Sequence, residues 1–280
     1  MTRLVPLWLL VFALPASAQL DGMIDLHVHA APDSDPRSVD AFETARLARR
    51  YGMRGLLFKN HYTHTASLAY LVSQAVPGIE VYGGITLNRP VGGINPPAVR
   101  FMAETTGGLG RVVWMPTRDT AQVPVARDGA LLPEVLEVLD VMAEHDLALA
   151  TGHLRPEESL LLIGEARARG VERIIVTHPF SPSVAMTPQA QREAARMGAV
   201  LEYPISLALG DDERFGRFVE QLREVGPQNV ALSTDLGQPG RPVHPDGLNF
   251  TLQRLRQAGF TQAEIDVMTQ RNPARLLGLP

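Results

Sequence analysis

Cysteine is absent from this 280-residue sequence. Its absence excludes disulfide bonds, thiolate nucleophiles, and the zinc or iron–sulfur sites that cysteine would hold. Basic residues are not in excess either, because 26 Lys and Arg stand against 30 Asp and Glu, for a formal net charge of −4. A chain with no basic surplus has little with which to neutralise phosphates, so we expect no nucleic-acid partner. Any metal ion must therefore be held by histidine, carboxylate or a modified lysine.

The first residues have the layout of a secretory signal. Arg3 gives a short positive start, and an apolar run from Leu4 to Leu14 follows. This run is too short to span a bilayer, and the small residues Pro15–Ala18 form an A-x-A cleavage site. We predict a cleaved signal peptide over residues 1–18, a single domain over 19–280, and a secreted or periplasmic location with no stable membrane anchor after cleavage. An uncleaved N-terminal anchor is the alternative.

Short apolar strands alternate with helices through the rest of the chain. The eight predicted strands lie at residues 23–27, 54–58, 79–86, 111–115, 147–151, 173–177, 199–203 and 230–234. A helix follows each strand, and the first helix is predicted to open at Asp35–Pro36, where proline suits a first helical turn. Apolar strands separated by helices are typical of a covered parallel sheet. Eight such units predict an α/β fold, a closed (β/α)₈ TIM-like barrel. An open doubly wound sheet is the alternative, although no Gly-rich dinucleotide fingerprint follows any strand.

Polar side chains gather at the carboxyl ends of these strands, where the chemistry of a barrel takes place. In chain order they are His27, His29, Lys59, His61, His64, His153, His178, Glu202 and Asp235. The i, i+2 spacing of His27 and His29 places both side chains on one face of a strand. Imidazole and carboxylate suit zinc, and also iron, nickel or manganese. The pattern therefore predicts a metal site at one mouth of the barrel.

This ordered set of motifs resembles the amidohydrolase superfamily of metal-dependent hydrolases, and most closely its uncharacterised members. The resemblance spans residues 23–279, and the closing segment Arg271–Gly278 is also similar to a frequent last helix of that superfamily. It implies a distorted (β/α)₈ barrel with one or two divalent metal ions, for which we expect Zn²⁺. The metal ligands that the resemblance implies are His27, His29, His153, His178 and Asp235.

Two features depart from the superfamily pattern. Many relatives carry a small β-sandwich built from both chain ends, for which the early first strand leaves no room here. Relatives with two metals often bridge them with a carbamylated lysine or a glutamate from the fourth strand, but that strand ends in Trp114–Thr117. Lys59, the only lysine of the chain, ends the second strand instead. We hypothesise that it is carbamylated and bridges two metals, and an unmodified Lys59 beside a single metal is the alternative.

The resemblance implies a hydrolase in which a metal-activated hydroxide cleaves a C–N bond (amide or cyclic amide) or an ester bond of a small molecule. Asp235 is expected to handle the proton of the attacking water, and His61 to assist catalysis. His64, Glu202 and Asp33 are expected to contact the substrate.

Several alternatives stay open at this point. Glu202 could instead be a metal ligand or an ion-pair partner, and Arg118 and His244 are weaker candidates for contacts with an anionic substrate. A decarboxylase or other lyase with a single metal, and a non-catalytic metal- or ligand-binding protein, remain the alternative functions. The sequence fixes neither the substrate nor the oligomeric state, and a homo-oligomer is compatible with it.

Overall fold

Eight parallel strands form a barrel in the computed structural model, which describes residues 20–280; the predicted signal peptide lies outside the described residues. The described residues form these eight barrel strands and two short hairpin strands. In chain order they are β1 Ile24–Val28, β2 Gly55–Phe58, β3 Glu80–Thr86, β4 Gly110–Trp114, β5 Ala126–Arg127, β6 Ala130–Leu131, β7 Ala148–Ala150, β8 Ile174–Val176, β9 Val200–Pro204 and β10 Val230–Ser233. The barrel order is β1-β2-β3-β4-β7-β8-β9-β10, and β5 and β6 pair in a separate antiparallel hairpin. The predicted (β/α)₈ fold is confirmed, and the described residues contain no β-sandwich.

Helices cover the outside of the barrel. They are α1 Ala41–Arg50, α2 Ala66–Ala75, α3 Pro96–Ala103, α4 Pro133–Glu144, α5 Pro156–Ala168, α6 Pro188–Arg196, α7 Asp212–Val225, α8 His244–Gln257, α9 Gln262–Asp266 and α10 Asn272–Leu276. A π-helical turn, Val267–Arg271, joins the last two. Within residues 20–280, no helix has both the length and the apolar character needed to cross a membrane.

The predicted start of the first helix is wrong. The helix begins at Ala41 because the carboxylate of Asp40 accepts a hydrogen bond from the amide of Glu43 at 2.8 Å, which caps the first turn. The residues before Asp40 form a loop over the barrel mouth instead, where Arg37 pairs with Asp33. An ion pair between residues four positions apart is common on helices, but here the pair lies in a loop and stabilises it.

Backbone hydrogen bonds close the barrel between its first and last strands. The amide of Asp235 donates to the carbonyl of His27 at 2.9 Å, and the amide of His29 donates to the carbonyl of Leu236 at 3.0 Å. Val28 and Leu236 form a parallel bridge just beyond β10. The seam of the barrel therefore runs through the two chain segments that carry predicted metal ligands.

Apolar side chains fill both faces of the sheet. Leu56, Phe58 and Val113 pack outward against the helices, whereas Leu57 and Trp114 point into the barrel. Ala148 and Ala150 on the neighbouring strand β7 leave space for the indole, which is 2% exposed. This packed interior supports the polar side chains above it, as expected of a barrel core that is filled and not open.

Candidate metal centre at the barrel mouth

A β-bulge in β1 aims two histidines into the barrel. Asp25 pairs with Leu56 and Val28 with Phe58, so β1 holds one residue more than β2 between these pairs. An extra residue shifts the alternation of side chains, and bulges often re-aim residues beside active sites. Leu26 therefore lies in the apolar interior, while beyond it the ring of His27 lies 6.4 Å from that of Trp114.

A buried carboxylate, Asp25, secures this bulge. It accepts hydrogen bonds from the amide of His27 at 3.1 Å, from the amide of Thr234 at 2.9 Å and from the Thr234 hydroxyl at 2.6 Å. Burial raises the pKa of Asp25 to about 7, although these donors oppose the rise. Asp25 thus ties His27 to the residue that precedes Asp235.

His27 lies at the centre of the cluster with a carboxylate on each side. Its Nε2 is 3.2 Å from Asp235 Oδ1, and His29 Nε2 is 3.2 Å from the same oxygen. Its Nδ1 is 2.7 Å from Glu202 Oε1 and 3.2 Å from His178 Nε2. Two groups could therefore hold a metal ion, His27–His29–Asp235 and His27–His178–Glu202.

Further predicted residues surround these two groups. The ring of His153 lies 5.3 Å from that of His178, and the ring of His61 lies 5.1 Å from that of His29. Lys59 Nζ lies 3.1 Å from His27 Nε2 and 5.5 Å from the centre of the Trp114 ring. The chain therefore brings together the histidines that end four different strands, as the sequence predicted.

Burial keeps these histidines neutral. It lowers the pKa of His153 to about 4 and that of His178 to about 3, and it also holds the pKa values of His27, His29 and His61 below the usual value of 6.5. A neutral imidazole has a lone pair on one nitrogen, which is the form that binds metal ions. Four predicted ligands are thus in the protonation state that a metal requires.

The charged groups of the cluster respond to each other as well as to burial. Burial alone would raise the pKa of Asp235, but the rings of His27 and His29 beside it hold that pKa well below its usual value, so Asp235 is an anion. Burial raises the pKa of Glu202 and lowers the pKa of Lys59 to about 8. The neutral amine of Lys59 is therefore far more populated at neutral pH than that of an ordinary lysine, although the ammonium remains the major form.

The backbone is strained at two of the predicted ligands. His178 has φ 46° and Asp235 has φ 49°, a left-handed conformation that non-glycine residues seldom adopt. Such conformations persist where the surrounding structure imposes them, and they concentrate at functional sites. At both positions the strand ends abruptly and the side chain turns over the barrel mouth.

The cluster forms the floor of an open cavity of about 660 Å³. Side chains of His29, Lys59, His61, His153, His178 and Asp235 line the floor. Arg37 and Arg118 stand on the wall, in the loops after β1 and β4. A small molecule that enters this cavity therefore meets the metal-binding side chains directly.

Other predicted residues lie elsewhere. Glu202 is 1% exposed beneath the histidines and does not line the cavity, so its expected contact with substrate has no support in this geometry. Asp33 is buried behind the cavity wall, where it binds Arg37. His64 is half-buried outside the cavity, and His244 is buried with its Nε2 2.9 Å from the Leu236 carbonyl. The contacts expected of Asp33 and His64 stay predictions.

Unsatisfied polar atoms indicate that a cation fits this cluster. His153 Nε2 and Glu202 Oε2 are buried and have no hydrogen-bond partner among residues 20–280. Buried polar atoms are almost always paired, because leaving one unpaired costs about 1–3 kcal/mol. A lone-pair nitrogen and a carboxylate oxygen are both ligand atoms for zinc. The donor set and its orphaned atoms therefore suit a divalent metal ion.

The family model for a family of unknown function, DUF6282, matches residues 22–202 of this chain. The chain belongs to the DUF6282 family. Every residue of the cluster except Asp235 lies in the matched range. No curated protein sequence matches the chain.

Solved structures share the fold of this DUF6282 member at low sequence identity. An organophosphorus hydrolase from Deinococcus radiodurans is 19% identical, with 94% of each chain covered and a TM-score of 0.64. A structure described as organophosphate hydrolysis activity engineered from a weak promiscuous lactonase template is 20% identical. It covers 95% of this chain and 98% of its own, with a TM-score of 0.63. At this level of identity, the comparison shows the fold.

Sequence reasoning missed three residues that shape the site. Asp25 precedes the first histidine by two residues, and that spacing could have suggested a carboxylate that braces the strand. Arg37 belongs to a run of alternating charges with Asp33 and Asp35, which could have suggested a held guanidinium. Thr117 binds His61 at 3.0 Å, and no local signal in the sequence points to this contact.

Proposed function

We propose that this DUF6282 protein is a metal-dependent hydrolase that cleaves a C–N or ester bond of a small molecule, with Zn²⁺ as its metal. The observation that carries the proposal is the convergence of neutral imidazoles and an anionic Asp235 on the floor of an open cavity. The printed names of the structural neighbours, a hydrolase and a protein derived from a lactonase, are consistent with hydrolysis.

His27, His29 and Asp235 are the residues that would hold a metal ion, and His178 and His153 adjoin them. A divalent ion bound there acts as a Lewis acid that polarises a carbonyl and lowers the pKa of water. Glu202 fixes the His27 ring through Nδ1, so that Nε2 faces Asp235 and His29. A carboxylate behind a histidine ligand is a common way to orient the ring and raise its basicity.

Asp235 is the general base of the proposed reaction. It is an anion, it lines the cavity, and its Oδ2 accepts a hydrogen bond from Ser206 at 3.2 Å. A carboxylate in this position accepts a proton from an attacking water and returns it to the leaving group. The lowered pKa of Asp235 keeps its carboxylate ionised at neutral pH, which is the form that accepts a proton.

His61 supports the developing negative charge of the transition state. Thr117 Oγ1 accepts a hydrogen bond from Asn88 Nδ2 at 3.1 Å and lies 3.0 Å from His61 Nδ1, and we propose that its hydroxyl donates to that nitrogen. The neutral ring then carries its own proton on Nε2, and His61 lines the cavity. A fixed N–H donor beside a reacting carbonyl stabilises the oxygen as it becomes negative.

Lys59 supplies the missing bridge as a carbamate. The side chain is 2% exposed, and it forms no ion pair with a carboxylate in the described part of the chain. The neutral amine attacks CO₂, forms an N–C bond and loses one proton, which leaves an anionic carbamate with two oxygens. Trp114 fills the barrel beside Lys59 and leaves β4 without a bridging carboxylate or lysine.

Metal loading and turnover test the proposal together. The full chain is stripped with a chelator, reloaded with Zn²⁺ and assayed on esters, lactones, cyclic amides and phosphotriesters. We expect hydrolysis that disappears on chelation, returns with metal and falls at least about 100-fold in Asp235→Asn. His145→Ala is the matched control, because His145 lies at the end of α4 beside Arg100, outside the cavity. Bound metal without turnover would contradict the proposal, and CO₂ release from a carboxylic acid would favour the lyase.

We also propose that the protein is exported, with residues 1–18 removed. The support is the charged start, the short apolar run and the A-x-A site of the sequence.

A further inference from the structure

We propose that the cavity binds a substrate with an anionic oxygen group, a carboxylate or a phosphate, between Arg37 and Arg118. The inference rests on the proposed hydrolase function and names the class of its substrate. The anionic group would be a recognition handle, separate from the bond that is cleaved at the floor of the cavity.

Arg37 is a buried guanidinium with unused donors. Its side chain is 3% exposed and lines the cavity. Nε and Nη2 lie 2.7 and 2.6 Å from one oxygen of Asp33, Oδ2, which fixes the guanidinium from behind. The contact of Nη2 with Asp33 is short but lacks hydrogen-bond geometry, and among residues 20–280 no hydrogen bond uses Nη1. A guanidinium has five N–H donors in a rigid fork, so this one has capacity left for a ligand oxygen.

Arg118 reaches the same place from another loop. Its Nη2 donates to Asp35 Oδ2 at 2.8 Å, and Arg37 Nη2 lies 3.7 Å from that same oxygen. One carboxylate oxygen of the chain thus stands between the two guanidiniums. The position of Asp35 shows the kind of group that this pair accepts, because paired N–H donors match carboxylate and phosphate oxygens.

The formal charges of Arg37, Arg118, Asp33 and Asp35 cancel. Attraction of a substrate anion therefore depends on where each of these four side chains lies. Asp33 is fully buried behind Arg37, whereas Asp35 is partly exposed on the cavity wall. Asp235 adds a negative charge on the floor. A substrate anion would therefore compete with Asp35 for the guanidiniums, and it would stay away from the floor. Removal of the Asp35 charge should strengthen anion binding, and removal of either arginine should weaken it.

The two arginines are close enough to act on a molecule at the metal-binding floor. Arg37 and Arg118 line the same cavity as Lys59 and His61. A handle held at the wall would leave the rest of a small substrate over Lys59 and His61. The cavity has room for such a molecule, since its volume of about 660 Å³ is within the usual range for small-molecule sites.

A matched pair of chromogenic esters tests the inference. 4-Nitrophenyl butyrate and the mono-4-nitrophenyl ester of glutaric acid share the scissile bond and differ in a terminal carboxylate. We expect the wild-type, zinc-loaded full chain to prefer the anionic ester at least tenfold in kcat/KM. That preference should fall toward unity in Arg118→Met and in Arg37→Met, and rise severalfold in Asp35→Asn. Arg192→Met is the control, because Arg192 is exposed on α6 and pairs with Glu224.

The test remains valid even if one of the variants fails to fold. Arg118 is half-exposed, so Arg118→Met should fold even if Arg37→Met does not, and Arg37→Lys keeps the charge but removes the fork. Equal kcat/KM for both esters in the wild type, or a preference unchanged in Arg118→Met, would overturn the inference.

Equilibrium binding separates this inference from the proposed function. If neither ester is hydrolysed, the hydrolase proposal fails, and calorimetry with glutarate and with inorganic phosphate still examines the arginine pair. Binding of glutarate that weakens in Arg118→Met identifies a carboxylate site, and the same result with phosphate alone identifies a phosphate site. Binding of neither anion would overturn the inference.

Discussion

Glu202 Oε1 lies 2.7 Å from His27 Nδ1 in the floor of the barrel, where neither side chain reaches solvent. The same oxygen accepts a hydrogen bond from the Ser233 hydroxyl at 2.7 Å. This contact determines which nitrogen of the His27 ring faces Asp235. The contact thus orients His27 for metal binding. Glu202 acts by positioning the His27 ring.

Replacement of Glu202 by glutamine should weaken metal binding. Loss of the charge leaves a poorer acceptor for His27 Nδ1, and partners of this kind contribute about 10–100-fold to metal affinity. Competition with a zinc chelator measures the affinity. Ser233→Ala is the matched control, because it removes a different donor to the same oxygen and should have a smaller effect. Equal zinc affinity in Glu202→Gln and wild type would show that this contact does not orient a ligand.

Lys59→Ala should lose one metal per chain and lower kcat/KM by about 100-fold or more if the carbamate bridges two ions. Propionate should restore part of the activity, because its carboxylate can occupy the space that the lysine leaves. Chloride at the same ionic strength is the control for a general salt effect. Full metal content and full activity in Lys59→Ala would reject the bridge and leave the single-metal alternative.

Gly237→Ala should disturb the position of His29. Gly237 has φ 117°, and a Cβ there would lie 2.0 Å from the carbonyl oxygen of His29. Strain of this kind costs about 1–3 kcal/mol, and each kcal/mol lowers Tm by about 2–4 °C in a chain of this size. Gly240 is in the same loop with φ 77° and has open space around it, so Gly240→Ala measures the backbone cost alone. We expect only Gly237→Ala to lose zinc affinity as well, and equal zinc binding in both variants would contradict this.

The metal-free protein should lose stability as pH falls below about 6.5. Burial lowers the pKa of His153 to about 4, of His178 to about 3 and of His244 to about 4, so the unfolded chain takes up protons first. Each such histidine therefore lowers the free energy of unfolding as pH drops from 6.5 toward the pKa of the folded state. The decrease is at most about 1.4 kcal/mol per pH unit. Asp25 and Glu202, whose pKa values burial raises, act in the opposite direction but are fewer.

Thermal unfolding of chelated protein from pH 7 to pH 4.5 measures this dependence. His244→Gln keeps a donor for the Leu236 carbonyl and removes one titrating group, so its Tm should fall less steeply with pH. A Tm that stays constant over this range would show that the buried histidines do not remain neutral in the folded state.

Export should remove residues 1–18. The mature protein should then begin at Gln19, and mass spectrometry of protein from the periplasm or medium measures the difference. A full-length product that remains in the cytoplasm would contradict the predicted signal.

The sequence by itself determined the barrel and most of its floor. Eight apolar strands can bury both faces of their sheet only if helices cover the outside. The alternation of apolar strands and helices is a local pattern that can be read along the chain. In a parallel barrel all strand ends meet at one mouth, so the histidines that follow β1, β2, β7 and β8 had to approach each other. The fold therefore followed from pattern, and the gathering of the histidines followed from the fold.

Only the tertiary structure decided which atoms face each other. The bulge in β1 depends on its pairing with β2, and the contact of Glu202 with His27 joins residues far apart in the chain. Arg37 became part of the cavity wall because a capped helix starts at Ala41 and leaves the preceding segment as a loop. Burial, which depends on all the neighbours of a group at once, set the protonation of the histidines and of Lys59. Such long-range contacts have no period along the chain, and for this reason the sequence could indicate the residues of the site but not their individual roles.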